Sequence, residues 1–203
     1  QVRPSDVTRF AIIAAMLDVP RETFTPRAHR AVAYADAQIP LGQGRVLLDP
    51  RTFAKMLEAA EILPSELVLD VGVGYGYSAV VLARIAAAVM ALEEDATLAA
   101  HAAELIPSAD AHTVILETGP LAAGAPASGP YDVILLEGGV EIVPEPLLAQ
   151  LKDGGRLVAI VMDGPLGQAT VFTRAGDVVS SRRAFDATAP VLPGFDTVRS
   201  FAF

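Results

Sequence analysis

The stretch LDVGVGYGYS, residues 69–78, places three glycines at alternate positions directly after an apolar run. The run has the length and composition of a buried β-strand. Gly72, Gly74 and Gly76 have no Cβ, so they tolerate positive φ and let the main chain approach a ligand closely. In a parallel sheet the first strand-to-helix turn is the place where a nucleotide binds. The stretch therefore predicts a strand, a nucleotide-binding turn and the start of a helix.

The sequence beyond this turn has the pattern of a parallel sheet. From Glu66 onward, apolar runs recur at roughly 20-residue intervals, and alanine-rich helical segments follow the first two. The runs are LVLDVG, VMALEE, TVILE, YDVILLE and RLVAIVM, and PEPLLAQLKDGG is expected to be a helix before the last. Strands that are apolar on both faces and alternate with helices are typical of a doubly wound α/β sheet. We therefore predict a mostly parallel, Rossmann-like sheet.

Both ends of the chain depart from this alternation. Residues 5–17 and 51–63 have helical spacing, and Ser5 is a candidate N-cap for the first helix. ATVFTRAGDVVSSRRAF consists of two strand-like stretches around a turn at 175–177, so we expect the sheet to end in antiparallel strands, with VRSFAF at 198–203 as a further edge segment. We predict a single domain, 1–203, with a helical extension over 1–62 and the sheet over 63–203.

Composition narrows the possible partners. A net charge of -9 argues against a nucleic-acid partner, and the apolar runs are shorter than the roughly 20 residues that span a bilayer. Because no run is long enough to span a bilayer, we expect a cytoplasmic protein. The absence of cysteine excludes disulfides but does not decide the redox compartment. His29, His101 and His112 have no metal-ligand spacing, so no metal site is predicted.

Two features restrict the ligand of the turn. A dinucleotide site of the G-x-G-x-x-G type would need its last glycine where the chain has Tyr77, so the spacing disfavours but does not exclude that class. Glu93 ends the next apolar run, at a position where a carboxylate accepts both hydroxyls of a ribose. A nucleoside ligand is therefore expected. The spacing G-x-G-x-G after an acidic residue, Asp70, resembles the first motif of class I S-adenosylmethionine-dependent methyltransferases.

Five segments, in order along the chain, resemble the protein-L-isoaspartate O-methyltransferase family. They are AMLDVPRETFTP (15–26), AYADAQIPLGQGR (33–45), LPSELVLDVGVGYGYSAVVLA (63–83), GPYDVILLEGG (129–139) and PEPLLAQLKDGGRLVAIV (144–161). The resemblance implies a class I methyltransferase sheet whose N-terminal extension covers the substrate side. It also implies methyl transfer from S-adenosylmethionine to the carboxylate of isoaspartyl residues in peptides or proteins, a step in protein repair.

The resemblance assigns roles to particular residues. Asp70, Gly72, Gly74 and Gly76 would surround the methionine portion of the cofactor, and Glu93 would hold the ribose.

The chain departs from the family pattern in the substrate-side segment. The family has a Gly-Gln-Thr-Ile-Ser-x-Pro type sequence there, and this chain has GRVLLDP at 44–50. The serine position is therefore Leu48 and the threonine position is Val46, so two hydroxyls are replaced by apolar groups. Asp49 adds a carboxylate that would disfavour an anionic substrate unless its side chain faces away.

A second departure lies after the third strand of the sheet. Gly119-Pro120-Leu121 stands where the family has Gly-Asp-Gly, so the acidic group expected beside the adenine amino group is missing. Glu137, at the end of the fourth strand, is either a polar group at the pocket rim or a hydrogen-bonded strand end. These departures keep two alternatives open: a methyltransferase-fold binding module that does not methylate isoaspartate, and a methyltransferase for a less polar acceptor.

Overall fold

A computed structural model describes residues 7–197 of the chain. The N-terminal part consists of helix α1 (Phe10–Asp18), two short 3₁₀ helices (Arg21–Phe24 and Arg27–Val32), a hairpin of strands β1 (Ile39–Gly42) and β2 (Arg45–Leu47), and helix α2 (Pro50–Ala60). Helix α2 has Asp49 as its N-cap and Pro50 at its first position, where the missing N–H has no intrahelical partner to lose. The hairpin, which the sequence pattern did not predict, reaches the carboxyl edge of the main sheet.

The rest of the chain forms a seven-stranded sheet and its helices. The strands are β3 (Leu67–Val71), β4 (Ala88–Glu93), β5 (Val114–Thr118), β6 (Tyr131–Val140), β7 (Leu151–Asp163), β8 (Leu166–Ala175) and β9 (Val178–Asp186). The helices are α3 (Tyr77–Leu82), α4 (Ala96–Ser108) and α5 (Glu145–Leu148). The spatial order is β5-β4-β3-β6-β7-β8-β9, with β3 to β7 parallel and β8 and β9 antiparallel.

This order determines where a ligand can bind. The chain runs outward from β3 through β4 to β5, and then returns to place β6 on the other side of β3. The carboxyl ends of β3 and β6 therefore flank the point at which the strand order reverses, where a doubly wound sheet has its ligand crevice. The turn after β3 is LDVGVGYGYS, so the glycines lie at this crevice.

Two apolar layers hold the sheet between them. On the side of α1 to α4, Phe24 and Phe53 pack against Tyr77 with ring centroids 5.9 and 5.7 Å apart. The opposite layer contains Tyr131 and Phe195, both fully buried. Tyr77 begins α3, so this aromatic contact fixes the helix that follows the glycine turn.

The predicted α/β class, the mostly parallel sheet and its antiparallel C-terminal strands are confirmed. The helix predicted over 5–17 begins instead at Phe10. Extended backbone at Arg9 and hydrogen bonds from Thr8 and Arg9 to Glu58 of α2 delay its start. The predicted cap Ser5 and the edge segment VRSFAF lie outside the described residues.

The helix predicted before the last parallel strand is also shorter than expected. Its final residues, KDGG, belong to β7. The pairing of β6 with β7 shifts register between Tyr131 and Val133, so β7 carries extra residues there, and Gly154 adopts φ 76° within them. Within residues 7–197 no helix is long and apolar enough to cross a membrane.

Candidate functional site

The glycine turn has the backbone geometry that its sequence predicts. Gly72, Gly74 and Gly76 all have positive φ, at 83°, 56° and 93°. The amides of Gly72 and Gly76 donate to the carbonyls of Leu92 and Val73, both at 2.8 Å. These bonds fold the turn tightly between β3 and α3 and fix it beside the end of β4.

Asp70 lies below the turn as a buried acidic group. The Ser78 hydroxyl donates to Asp70 Oδ2 at 2.6 Å, while Asp70 Oδ1 has no hydrogen-bond partner in the described part of the chain. Burial raises the pKa of Asp70 to about 7; the Ser78 hydrogen bond opposes this shift and the nearby charge of Glu93 adds to it. A buried carboxyl with one free oxygen at a ligand crevice is a candidate for binding a polar group.

Glu93 is fully buried at the end of β4, and its carboxylate is surrounded by donors from the chain itself. Oε1 accepts from Arg45 Nη1 at 2.9 Å and from the amides of Glu94 and Asp95 at 2.9 and 3.1 Å. Oε2 accepts from the Gly74 amide at 2.7 Å and from Arg45 Nη2 at 3.3 Å. Because a carboxylate has about four lone-pair sites, these five bonds use its capacity fully.

Arg45 is the partner that the sequence analysis did not single out. It lies on β2, its side chain is 3% exposed, and Nη2 also donates to the Gly72 carbonyl at 2.6 Å. The remaining donor, Nε, has no partner among residues 7–197. The sequence contained one indication that Arg45 is unusual, because this residue stands at the glutamine position of the family segment.

The three glycines face different neighbours. A Cβ at Gly72 would lie 2.6 Å from Arg45 Nη2, and one at Gly74 would lie 2.5 Å from Leu41 Cδ1. Both glycines therefore face the β1–β2 hairpin. A Cβ at Gly76 would instead lie 2.7 Å from Ile106 Cγ1 of α4, so this glycine allows close helix packing.

A C-terminal segment covers the other side of the crevice. The Gly139 amide donates to the Pro190 carbonyl and the Leu192 amide donates to the Gly139 carbonyl, both at 2.8 Å. These bonds hold Leu192 between β3 and β6, where its Cδ2 would lie 2.6 Å from a Cβ at Gly138 and 3.4 Å from one at Gly72. The crevice is thus lined by an apolar side chain on the β6 side.

Arg21 connects the segment 44–50 to Tyr77. Leu48 is buried, and its carbonyl accepts from Arg21 Nη2 at 2.5 Å. Arg21 is itself buried, with its guanidinium 5.0 Å from the centre of the Tyr77 ring, and its Nη1 has no partner in the described chain. No feature of the sequence indicated that Arg21 would be buried here.

The other two positions of this segment differ in setting. Val46 is half-buried and packs on the core. Asp49 accepts from the Thr52 amide at 2.8 Å, so its carboxylate caps α2 and is turned toward a polar cavity of about 260 Å³ that also contains Arg51 and Lys55.

Glu137 lies in β6, the fourth parallel strand along the chain. Its side chain is buried, so it is not a polar group at a solvated pocket rim. Its Oε1 has no hydrogen-bond partner within 7–197, and burial, followed by the nearby charge of Asp70, raises its pKa well above the usual range. Two buried carboxyls, Asp70 and Glu137, thus lie on the two strands that flank the crevice.

The segment after β5, Gly119-Pro120-Leu121, has no acidic side chain where the family pattern has one. The backbone amide of Leu121 is already hydrogen-bonded within the chain. The Leu121 amide donates to Glu94 Oε2 at 3.0 Å, and Pro120 precedes a single turn of 3₁₀ helix. Beside it lies a cavity of about 240 Å³ lined by Gln43, Arg45, Glu94, Asp95, Ala96 and Pro193. Among the described residues no group of three or more His, Asp or Glu side chains is arranged to hold a metal ion.

Comparison with known proteins identifies the family. The sequence model of the protein-L-isoaspartate(D-aspartate) O-methyltransferase family matches residues 4–188. The protein-L-isoaspartate O-methyltransferase of Methylorubrum extorquens is 41% identical over 191 residues, covering 92% of this chain and 82% of that protein. The enzyme of the same name from Pelotomaculum thermopropionicum is 40% identical over 166 residues, covering 82% of this chain and 72% of that protein.

Solved structures agree on the fold. A protein-L-isoaspartate O-methyltransferase structure aligns with a TM-score of 0.82 at 24% identity, over 92% of this chain and 62% of that one. A Plasmodium falciparum protein described as a putative protein-L-isoaspartate O-methyltransferase, in complex with S-adenosyl-L-homocysteine, aligns with a TM-score of 0.81 at 19% identity, over 94% and 93% of the two chains. The class I methyltransferase fold and the matches over most of the sequence show that the chain belongs to the protein-L-isoaspartate O-methyltransferase family.

Proposed function

We propose that the protein transfers a methyl group from S-adenosylmethionine to the carboxylate of isoaspartyl residues in peptides or proteins. The observation that carries the proposal is the match of about 40% identity to enzymes of that name over most of the chain. The glycine turn and two buried carboxyls at the strand-order reversal support it, because they provide a ligand crevice in the expected place.

The residues of the crevice fit the cofactor in part. Asp70 has a free buried oxygen, and Gly72 and Gly74 leave no Cβ between the turn and the side chains of the β1–β2 hairpin. These groups would hold the methionine portion, and Glu93 would hold the ribose. The fit at Glu93 requires one change, since its lone pairs are all taken in the described arrangement.

The proposed reaction depends mainly on aligning the carboxylate with the methyl group. S-adenosylmethionine supplies an electrophilic methyl group on a sulfonium. The isoaspartyl carboxylate, with an ordinary pKa near 4, is ionised at neutral pH and needs no general base. The protein must therefore exclude water and hold the carboxylate in line with the methyl, which is the part of catalysis that positioning supplies.

The acceptor side is where this chain is expected to be weak. At Leu48 there is no hydroxyl to bind the carboxylate, and its backbone carbonyl is already bonded to Arg21. Losing one hydrogen bond to a charged group costs roughly 1.5 to 3 kcal/mol, which is about 10- to 150-fold in rate. We therefore expect slow isoaspartyl methylation.

A second candidate is a binding protein that retains the methyltransferase fold without isoaspartyl methylation. The buried Arg45–Glu93 pair favours it, because the ribose position is filled by the chain itself. Leu48 equally favours a third candidate, a methyltransferase for a less polar acceptor.

One assay separates these candidates. Labelled methyl transfer from S-adenosylmethionine is measured with an isoaspartyl peptide and with the same peptide carrying ordinary aspartate. We expect slow incorporation into the isoaspartyl peptide alone. Calorimetric binding of S-adenosylhomocysteine without transfer to that peptide would exclude the repair reaction.

A further inference from the structure

We propose that Arg45 is an internal competitor of the cofactor: its guanidinium occupies Glu93 and the Gly72 carbonyl in the free protein, and it must leave before a nucleoside can bind. The inference rests on the proposed function, since it concerns the same crevice. It makes Arg45 the residue that sets cofactor affinity in this chain.

The first support is the state of the Glu93 carboxylate. Three of its five hydrogen bonds come from the amides of Gly74, Glu94 and Asp95, which belong to the fixed turn and strand end. The other two come from Arg45, which is the one side-chain donor of the set. Only removal of Arg45 frees lone pairs for two ribose hydroxyls without unfolding the turn.

The second support is space. The cavity beside Arg45 has about 240 Å³, below the roughly 300 to 1,000 Å³ of pockets that enclose a drug-sized ligand. Arg45 forms part of its wall, and Leu41 of the same hairpin closes over Gly74. Movement of the hairpin would therefore enlarge the cavity toward the turn and expose Glu93 at the same time.

The third support is that the displaced guanidinium has somewhere to go. The cavity is also lined by Glu94 and Asp95, two carboxylates outside the crevice. The tip of the hairpin, Gly42-Gln43-Gly44, has φ of 98°, 53° and 71°, so the turn that carries Arg45 is built mainly from glycine. Arg45 can thus exchange one acidic partner for another by rearrangement of a short turn.

When Arg45 is paired with Glu93, one of its own donors still lacks a hydrogen bond. Arg45 Nε is buried without a partner among the residues that the structure describes. A buried donor left unpaired opposes the favourable contacts of the same side chain. The competitor is therefore displaceable, and we expect the open state to be a minor population of about 1 to 10%.

This population sets the size of the effect. The apparent dissociation constant equals the intrinsic one divided by the open fraction, so the wild type should bind S-adenosylhomocysteine about 10- to 100-fold more weakly than a protein without the competitor. Arg45→Gln removes the charge and the fork and leaves a shorter, polar side chain whose amide ends two bonds before the Nη positions. Arg156→Gln is the matched control, because it breaks another two-point arginine–glutamate pair, to Glu66 at 2.6 and 2.8 Å, away from the crevice.

The test is calorimetric titration of S-adenosylhomocysteine into the wild type, Arg45→Gln and Arg156→Gln, with thermal melting to check folding. We expect at least tenfold tighter binding to Arg45→Gln and no change for Arg156→Gln. If Arg45→Gln does not fold, Arg45→Lys, which keeps the cation but loses the fork, replaces it and should still bind more tightly than the wild type.

Two results would overturn the inference, and they differ in what they say of the proposed function. Equal or weaker binding by the folded Arg45 variant, with measurable binding by the wild type, would refute the competitor and leave the cofactor assignment intact. No binding by any of the folded proteins would refute both.

Discussion

The glycine turn at 69–78 and the hairpin at 39–47 meet across one crevice, and they differ in how they relate to the family pattern. The turn keeps the family spacing and has the positive φ angles that spacing requires. The hairpin and the residues after it carry Arg45, Val46 and Leu48, which replace three polar side chains of the family segment. The main-chain half of the site is retained and the side-chain half is changed.

The difference follows from what each region contributes to stability. Replacing a glycine of the turn strains the backbone and drives a Cβ into a neighbour, so the turn is needed for folding whatever it binds. On the opposite side, Leu48 is buried in the core and Val46 packs against it, so apolar side chains there are compatible with folding. A fold can therefore keep the turn long after the chemistry opposite it has altered.

The largest expected effect comes from a substitution within the glycine turn. We predict that Gly76→Ala lowers the free energy of unfolding by about 2 to 5 kcal/mol, the sum of roughly 1 to 2 for a left-handed alanine and 1 to 3 for overpacking against Ile106. Gly176→Ala is the control, because this glycine has φ 61° but open space around it among the described residues, and should lose only about 1 to 2 kcal/mol. Urea denaturation measures both, and equal losses would refute the packing role of Gly76.

A smaller effect is expected when the family's serine is restored on the changed side of the crevice. Leu48→Ser reintroduces a hydroxyl at the family serine position and should raise kcat/KM for an isoaspartyl peptide by about 10- to 150-fold, or 1.5 to 3 kcal/mol. Leu48→Ala removes the same side chain without adding the hydroxyl, so it separates polarity from truncation. Assays are run well below the melting temperature of both variants, since each loses buried area. Equal rates for the two variants would show that Leu48 does not face the acceptor.

The remaining prediction concerns the pH dependence of stability that the buried acid below the turn produces, an effect spread over several pH units. Burial raises the pKa of Asp70 to about 7, above its ordinary value of 3.8, so the folded protein holds a proton that the unfolded chain releases between these values. Stability from this group is present in full below pH 4 and is lost as pH rises toward 7.

Asp70→Asn should therefore flatten the fall in unfolding free energy between pH 4 and 7, by at most about 1.4 kcal/mol per pH unit. Glu137, whose pKa burial also raises, leaves part of the slope in place. Asp163→Asn on the exposed end of β7 is the control. A wild-type slope that Asp70→Asn leaves unchanged would contradict the burial of an acid at this position.

Most of the fold could be predicted because it rests on local patterns. The apolar runs, the glycine spacing and the turn at 175–177 indicate β3 to β9 almost directly. The β1–β2 hairpin could not be predicted, since IPLG and RVL are too short to show a period, and the two strands pair only with each other.

The site could be predicted in position but not in its contacts. Asp70, the glycines and Glu93 lie together at the strand ends, as the sheet topology requires; their roles toward the cofactor stay predictions. That Arg45 would pair with Glu93, 48 residues away, depends on the hairpin's tertiary placement, and so does the burial of Arg21 beside Leu48. Long-range pairs of this kind leave no periodic signal in a single sequence.

A crystal structure of the protein grown with S-adenosylhomocysteine would test the displacement of Arg45 most directly. We expect the ribose hydroxyls within hydrogen-bond distance of Glu93, with the Arg45 guanidinium displaced toward Glu94 and Asp95. A nucleoside bound while the Arg45–Glu93 pair remains intact would contradict it.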